Sequence, residues 1–243
     1  MTNTTPAAPD APSAPAAVDF TAHFSDPEAV ARYSEGPPRF VPGFDALHRM
    51  TGLLLAEKAP RDARVLILGA GGGLELKALA AMYPCWRFVG VDPAAAMLGL
   101  ARRTLGAQAQ RAMLVEGYID DAPEGPFDAA VCLLTLHFLD RDERRRTLRE
   151  IHRRLAPGAP FVAAHSSFPQ DEAARERWLS RYMAFAVASG ADPVKVASAK
   201  EAVAASLCLY EPEEDAEFMR EAGFSGVELF YAAFTWRGWV ATA

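Results

Sequence analysis

Apolar residues along this chain alternate between short unbroken runs and runs at helical spacing. Val65-Leu66-Ile67-Leu68 and Trp86 to Val91 belong to the first kind, and neither shows the period-two alternation of a half-exposed strand. Such runs predict strands buried on both faces of a parallel sheet. Arg111 to Glu116, Phe127 to Leu134 and Phe161 to Ala164 are read as the third, fourth and fifth strands. Between them lie helices. Phe44 to Glu57 carries Leu47, Met50, Leu54 and Leu55 at helical spacing, Leu74 to Met82 puts Leu74, Ala78 and Ala81 on one face, and Asp140 to Leu155 lines its buried face with Leu148, Ile151 and Leu155. Ala94 to Leu105 is opened by Pro93, whose missing donor costs nothing at the first helical position. From Gln170 the alternation gives way to two successive helices, Asp171 to Ser189 and Pro193 to Leu207. A short helix, Pro212 to Ala222, and a hairpin of Val227 to Tyr231 with Phe234 to Val240 close the chain. The class is α/β.

The first strand runs directly into Gly69, Gly71, Gly72 and Gly73, and a helix follows at once. Strand, glycine loop and helix start together present free backbone N–H groups to an anionic or nucleoside-bearing ligand. The spacing is G-x-G-x-G. The dinucleotide fingerprint needs a sixth-position glycine where Leu74 stands, and the Gly-Lys-Ser/Thr of a P-loop is absent. The second strand ends in Asp92, about 20 residues beyond the loop, where a carboxylate can accept from ribose hydroxyls.

Composition narrows the class further. At 243 residues and 51% hydrophobic, the chain can build one α/β domain with a solid core. A net charge of −6 argues against a broad nucleic-acid surface. On the Asp140 to Leu155 helix, Arg145, Arg149 and Arg153 interleave with Asp142, Glu143 and Glu150, the pattern of a solvated, ion-paired face. Cys85, Cys132 and Cys208 are too scattered for a disulfide framework or a metal site, and Cys132 reads as core. No apolar run reaches membrane-spanning length and no signal-peptide pattern opens the chain, so a cytoplasmic protein is expected, with a homodimer left open.

Residues 1–17, almost all Ala, Pro, Thr, Ser, Asp and Asn, predict a disordered tail. Residues 18–58 form an N-terminal helical segment: Asp26-Pro27 starts a helix, Gly36-Pro37-Pro38 stops it, and Phe20, Phe24 and Tyr33 make it either a flap over the ligand or a plain packing element. Residues 59–243 form the main α/β domain, with a helical insertion at about 170–209 that either caps the site or adds to the core.

VLILGAGGG, VGVDPAAAML, a third strand ending VEGYIDD, and FDAAVCLLTLHFL, in this order, resemble the motif set of class I S-adenosylmethionine (SAM)-dependent methyltransferases. The resemblance implies a Rossmann-like seven-stranded, mostly parallel sheet in the order 3-2-1-4-5-7-6, its last strand antiparallel, with helices on both faces. It also implies SAM as cofactor, held by Gly69, Ala70, Gly71, Asp92, Pro93 and Met97. Tyr118 and Ile119 of the third loop would embrace the adenine, with its exocyclic amine passing to Asp120 or to a backbone carbonyl. Leu133 and Leu134 would lie at the reacting methyl. The family's usual acid two residues before the first loop glycine is replaced by Ile67, so Glu75 either takes the methionine ammonium or only complements the helix dipole. Arg39 either reaches the cofactor carboxylate or makes a structural ion pair. His137 and His165 are candidate general bases, each with simple packing as the other reading. His48, set among apolar residues, reads as structural.

Two segments, Arg39-Phe40-Val41-Pro42-Gly43-Phe44 and Thr135-Leu136-His137-Phe138-Leu139, further resemble carboxy-SAM synthases. In those enzymes an arginine holds the extra carboxylate, and the matching position here is Lys200, a point charge without a bidentate fork. No Asn/Asp-Pro-Pro-Tyr/Phe tetrad follows the fourth strand, which disfavours DNA-base methylation. The expectation is a SAM-dependent methyltransferase with a small-molecule acceptor. The alternatives are a carboxy-SAM synthase using prephenate and a non-catalytic SAM-binding protein.

Overall fold

Seven strands form one sheet in the order β3-β2-β1-β4-β5-β7-β6, with β1 to β5 parallel and β7 antiparallel to both of its neighbours. The structure, a computed structural model, describes residue 24 and residues 26–197 and 207–243. The expected tail, Phe20, and the part of the insertion holding Ala199, Lys200 and Glu201 lie outside the described residues.

The strands are β1 (Arg64–Leu68), β2 (Arg87–Asp92), β3 (Ala112–Glu116), β4 (Ala129–Leu133), β5 (Pro160–Ser166), β6 (Ser225–Ala233) and β7 (Trp236–Thr242). The described helices include α1 (Pro27–Arg32), α2 (Gly36–Phe40), α3 (Phe44–Ala56), α4 (Leu74–Met82), α5 (Ala95–Leu105), α6 (Arg141–Arg154), α7 (Glu172–Ala188) and α8 (Pro212–Glu221), and residues 193–197 are helical as well. The apolar run of β1 lacks alternation because both faces of the sheet are covered. Val65 and Ile67 pack with Leu47 and Leu55 of α3, Leu76 and Leu79 of α4 and Leu98 of α5. Leu66 and Leu68 pack on the other face with Leu148 and Ile151 of α6 and Phe218 and Met219 of α8. Cys132 is fully buried in that second layer.

Several boundaries differ from the sequence reading, each for a local reason. Pro37 and Pro38 do not stop the chain's helical path but stand in the first turn of α2, where no donor is needed. Pro93 precedes the helix instead of opening it, since Ala94 is the N-cap of α5. On α4 the buried face is Glu75, Leu76, Leu79 and Ala80, not the Leu74, Ala78 and Ala81 stripe. The Asp140 side chain caps α6 by accepting from the N–H groups of Asp142 and Glu143. On the outer face of α6, Arg145 pairs with Glu221 and Arg153 with Glu124 and Glu150, as the charge pattern predicts.

The N-terminal segment is fastened to the closing hairpin. Trp236 Nε1 donates to the Phe40 carbonyl at 2.9 Å and the Tyr231 hydroxyl to the Pro42 carbonyl at 2.6 Å. Helix α7 lies over the same region, with the Tyr182 ring 5.8 Å from Phe40 and 6.2 Å from Trp236, and Phe185 5.9 Å from Phe234.

A buried charge cluster ties α6, α8 and β5 together. Arg144 Nη1 donates to Asp215 Oδ1 at 2.5 Å, and its Nη2 donates to the carbonyls of Cys208 at 2.6 Å and Leu139 at 3.2 Å. His165 Nε2 approaches Asp215 Oδ2 to 3.1 Å without hydrogen-bond alignment. Burial raises the Asp215 carboxyl, but His165 and Arg144 outweigh it and hold it at about 2. A folded-state value below the unfolded one means that this stabilisation is complete above about pH 4 and is lost as pH falls toward 2. Asp215→Asn leaves the Arg144 charge buried without its counter-ion, which costs about 3–5 kcal/mol. Chemical denaturation at neutral pH measures this loss, and repeating it in acid should show the gap between variant and wild type closing.

Candidate functional site

The carboxyl ends of β1, β2, β3 and β4 open into one cavity of about 390 Å³, within the range of small-molecule sites. Its floor is the glycine loop, and its other walls come from the turns after β2, β3 and β4, from α6, and from the N-terminal segment.

The loop is shaped by close approach. Gly69 and Ala70 both donate to the Val91 carbonyl, at 2.8 and 3.0 Å, which locks the end of β1 onto β2. Gly69 has φ +76°, and a Cβ there would stand 1.9 Å from Thr135 Oγ1, so the first and fourth loops touch where no side chain fits. Beside this contact Leu134 adopts φ +56°, an uncommon conformation for leucine, and lines the cavity.

Asp92 joins two of these turns. Its Oδ2 accepts from Gly71 N at 2.8 Å and its Oδ1 from Ala94 N at 2.9 Å. Burial raises this carboxyl, and the two backbone bonds oppose the rise. Glu75, in the first turn of α4, also lines the cavity. It is 7% exposed and its Oε1 has no hydrogen-bond partner. Burial, reinforced by the Asp92 charge, pushes its carboxyl well above the ordinary range.

Tyr33 and Phe24 form the roof. The Tyr33 ring lies against Gly72, Phe24 packs edge-on to it at 6.3 Å, and Phe138 meets Phe24 at 6.1 Å. Burial and then the charges of Glu75 and Asp92 hold the Tyr33 phenol far above its usual value.

The expected cofactor residues Gly69, Ala70, Gly71, Glu75, Asp92, Pro93, Met97, Tyr118, Ile119, Leu133 and Leu134 all line this cavity. Four expected residues do not. Arg39 pairs with Glu35 at 3.5 Å. Asp120 is gripped by Arg146 at 2.7 and 2.9 Å. His137 accepts from Ser166 N through Nδ1 at 3.2 Å and packs between Phe138 and Trp236. His165 is enclosed in the Arg144–Asp215 cluster. Burial lowers both imidazoles, with the nearby His165 and Arg144 adding to the fall at His137. Each histidine is thus taken up by packing, and neither faces the space where a base would act. The described part of the insertion, α7 included, does not line the cavity.

His48 was missed. It lines the cavity with its ring 4.4 Å from Phe44, and burial drives it down to about 4 against the pull of Asp45, so it is a neutral imidazole at physiological pH. Its setting among apolar residues gave no sign of this. Glu143, Arg146 and Thr147 of α6 also reach the cavity, and their three- and four-residue spacing was the readable signal.

Residues 65–158 match the model of a family described as methyltransferase domain. This stretch of the chain is similar to class I SAM-dependent methyltransferase domains. Among its relatives, the carboxy-S-adenosyl-L-methionine synthase of Chromohalobacter salexigens is 29% identical over 229 residues, covering 92% of this chain and 85% of that protein. The synthase of that name from Klebsiella pneumoniae is 23% identical over 207 residues, 84% of each. The methyltransferase fold recurs in solved structures. One described as PigF with SAH has a TM-score of 0.67 at 21% identity, covering 92% of this chain and 62% of that one. Human N-acetylserotonin methyltransferase in complex with SAM has a TM-score of 0.62 at 16% identity, covering 94% and 59%. The chain therefore spans about three fifths of the length of those structures. Among the described residues, no helix is long and apolar enough to cross a membrane, and no cluster of His, Cys, Asp or Glu is placed to hold a metal.

The close contact of Gly69 with Thr135 predicts a severe effect of Gly69→Ala, above the ~1–2 kcal/mol that a left-handed conformation costs by itself. Gly190→Ala is the control, because Gly190 has φ +88° with nothing within 4 Å of its missing Cβ. Denaturation midpoints should fall much further for the first than for the second.

Proposed function

We propose that this domain binds SAM in the cavity and transfers the cofactor's methyl group to a small, uncharged acceptor. The observation that carries this is the cavity's polarity. Two carboxyl groups, the buried Glu75 and the half-buried Asp92, face it, while Arg146 is the only Lys or Arg among its described lining residues and is already held by Glu143 and Asp120. Such a site suits a cationic ligand and opposes a dianionic one.

Asp92 has both oxygens engaged by backbone donors yet keeps lone pairs for ribose hydroxyls. Gly71 lets the loop approach the ligand, and Met97 and Ile119, both buried, supply apolar surface for the adenine. The cofactor, when bound, supplies a methyl group already activated on a sulfonium. The chain's task is then to position and to exclude water, for which Leu134 and the Phe24–Tyr33–Phe138 roof are suited. In this reading residues 26–43 serve as the lid of the site, while α7 braces that lid from behind.

A second reading, carboxy-SAM synthesis, is favoured by the name shared by the curated relatives and by their coverage of nearly the whole chain. It requires a cation for the added carboxylate, and Lys200, the position that would supply it, lies outside the described residues.

Mass spectrometry of the ligand released on denaturing freshly purified protein, followed by incubation with SAM and prephenate, separates the two readings. The methyl-transfer reading expects SAM or S-adenosylhomocysteine and no carboxylated cofactor. Formation of carboxy-SAM overturns it. Asp92→Ala should weaken SAM binding by ~1–3 kcal/mol in a calorimetric titration, the cost of a lost buried polar contact. Unchanged affinity would remove Asp92 from the cofactor site.

A further inference from the structure

The cavity contains one buried carboxylate that the protein itself leaves unneutralised. Glu75 takes part in no salt bridge among the described residues, and its Oε1 accepts no hydrogen bond. The titratable groups facing it are Asp92 at the end of β2, the Tyr33 phenol of the roof and the Cys132 thiol of β4. None of the three is a cation. A buried carboxyl in these surroundings is retained at a cost to the empty protein, since burial without a partner disfavours its charge. The strand offers no alternative, since Ile67 is fully buried in the apolar cluster that holds Val65, Leu76 and Leu79 and supplies no charge.

We propose that Glu75 is the counter-ion of the ammonium group at the amino-acid end of the cofactor, and that the contact forms with release of the Glu75 proton to solvent. This rests on the reading of the cavity as a SAM site. The charge balance is simple: the neutral carboxyl gives up one proton to the buffer, the ligand keeps all of its own, and a carboxylate–ammonium pair remains. Because the ligand selects the ionised form, affinity rises with pH through the raised Glu75 range, up to tenfold per pH unit, and falls again above about pH 8, where the free ligand's own α-amine loses its proton. Tyr33 closes the pair from water, which strengthens it.

The test compares wild type and Glu75→Gln in calorimetric titrations with SAM, S-adenosylhomocysteine and 5′-methylthioadenosine, which lacks the amino-acid end. Each titration is run in two buffers of different ionisation enthalpy. Wild type should release protons on binding the first two ligands. Glu75→Gln should lose that release and bind both about 10- to 100-fold more weakly, while its affinity for methylthioadenosine stays within about twofold. Retained methylthioadenosine binding also shows that the variant is folded. SAM affinity within about twofold of wild type overturns the inference, as does an equal loss for methylthioadenosine. A loss for SAM but not S-adenosylhomocysteine also overturns it, by assigning Glu75 to the sulfonium. If wild type binds none of the three, the SAM reading itself fails, and this is seen without any variant.

Discussion

The candidate site depends on the way the Asp92 carboxylate is used. One oxygen holds the N–H of Gly71 and the other the N–H of Ala94, so a single side chain at the end of β2 fixes both the glycine loop after β1 and the start of α5. Backbone donors that would otherwise point into the cavity unpaired are satisfied, and the loop is kept open enough for a ligand to approach its backbone. The Gly69–Thr135 contact secures the same loop on its other side, against the turn after β4. Between these two constraints the walls of the cavity are set before any ligand arrives, which limits the ordering cost of binding.

The electrostatic character of the site follows from what the fold spends elsewhere. Arginine is plentiful on α6, but its guanidinium groups are engaged: Arg144 with Asp215, Arg145 with Glu221, Arg146 with Asp120 and Glu143, Arg153 with Glu124. The cavity therefore keeps a net acidic lining although a basic helix borders it. Histidines are handled similarly. His137 and His165 are absorbed into packing between β5, β7 and α8, and His48 is the imidazole left facing the cavity.

Much of this was legible in the sequence because it is local. Unbroken apolar runs gave the parallel strands, the clustered glycines gave the loop, and the chain interval to Asp92 gave the acid at the end of β2. Once the motif order was matched, the sheet order followed, including the antiparallel β7. What was not legible depends on long-range packing. Nothing near His165 signals that Asp215, fifty residues on, will meet it in the core, or that Asp120 will turn outward to Arg146. The Pro37-Pro38 pair reads as a stop because its tolerance in a first helical turn depends on where the turn begins. The insertion was expected as a cap or as core; its helix α7 packs on α2 and the closing hairpin, through Phe40, Tyr182 and Trp236.

The central claim, that SAM occupies the carboxyl edge of this sheet, is tested most directly by hydrogen–deuterium exchange with and without SAM. The account predicts slowed exchange in three separate stretches, 69–75, 92–97 and 117–119, together with the roof around Tyr33. Protection confined to other surfaces, or none at saturating SAM, would contradict it.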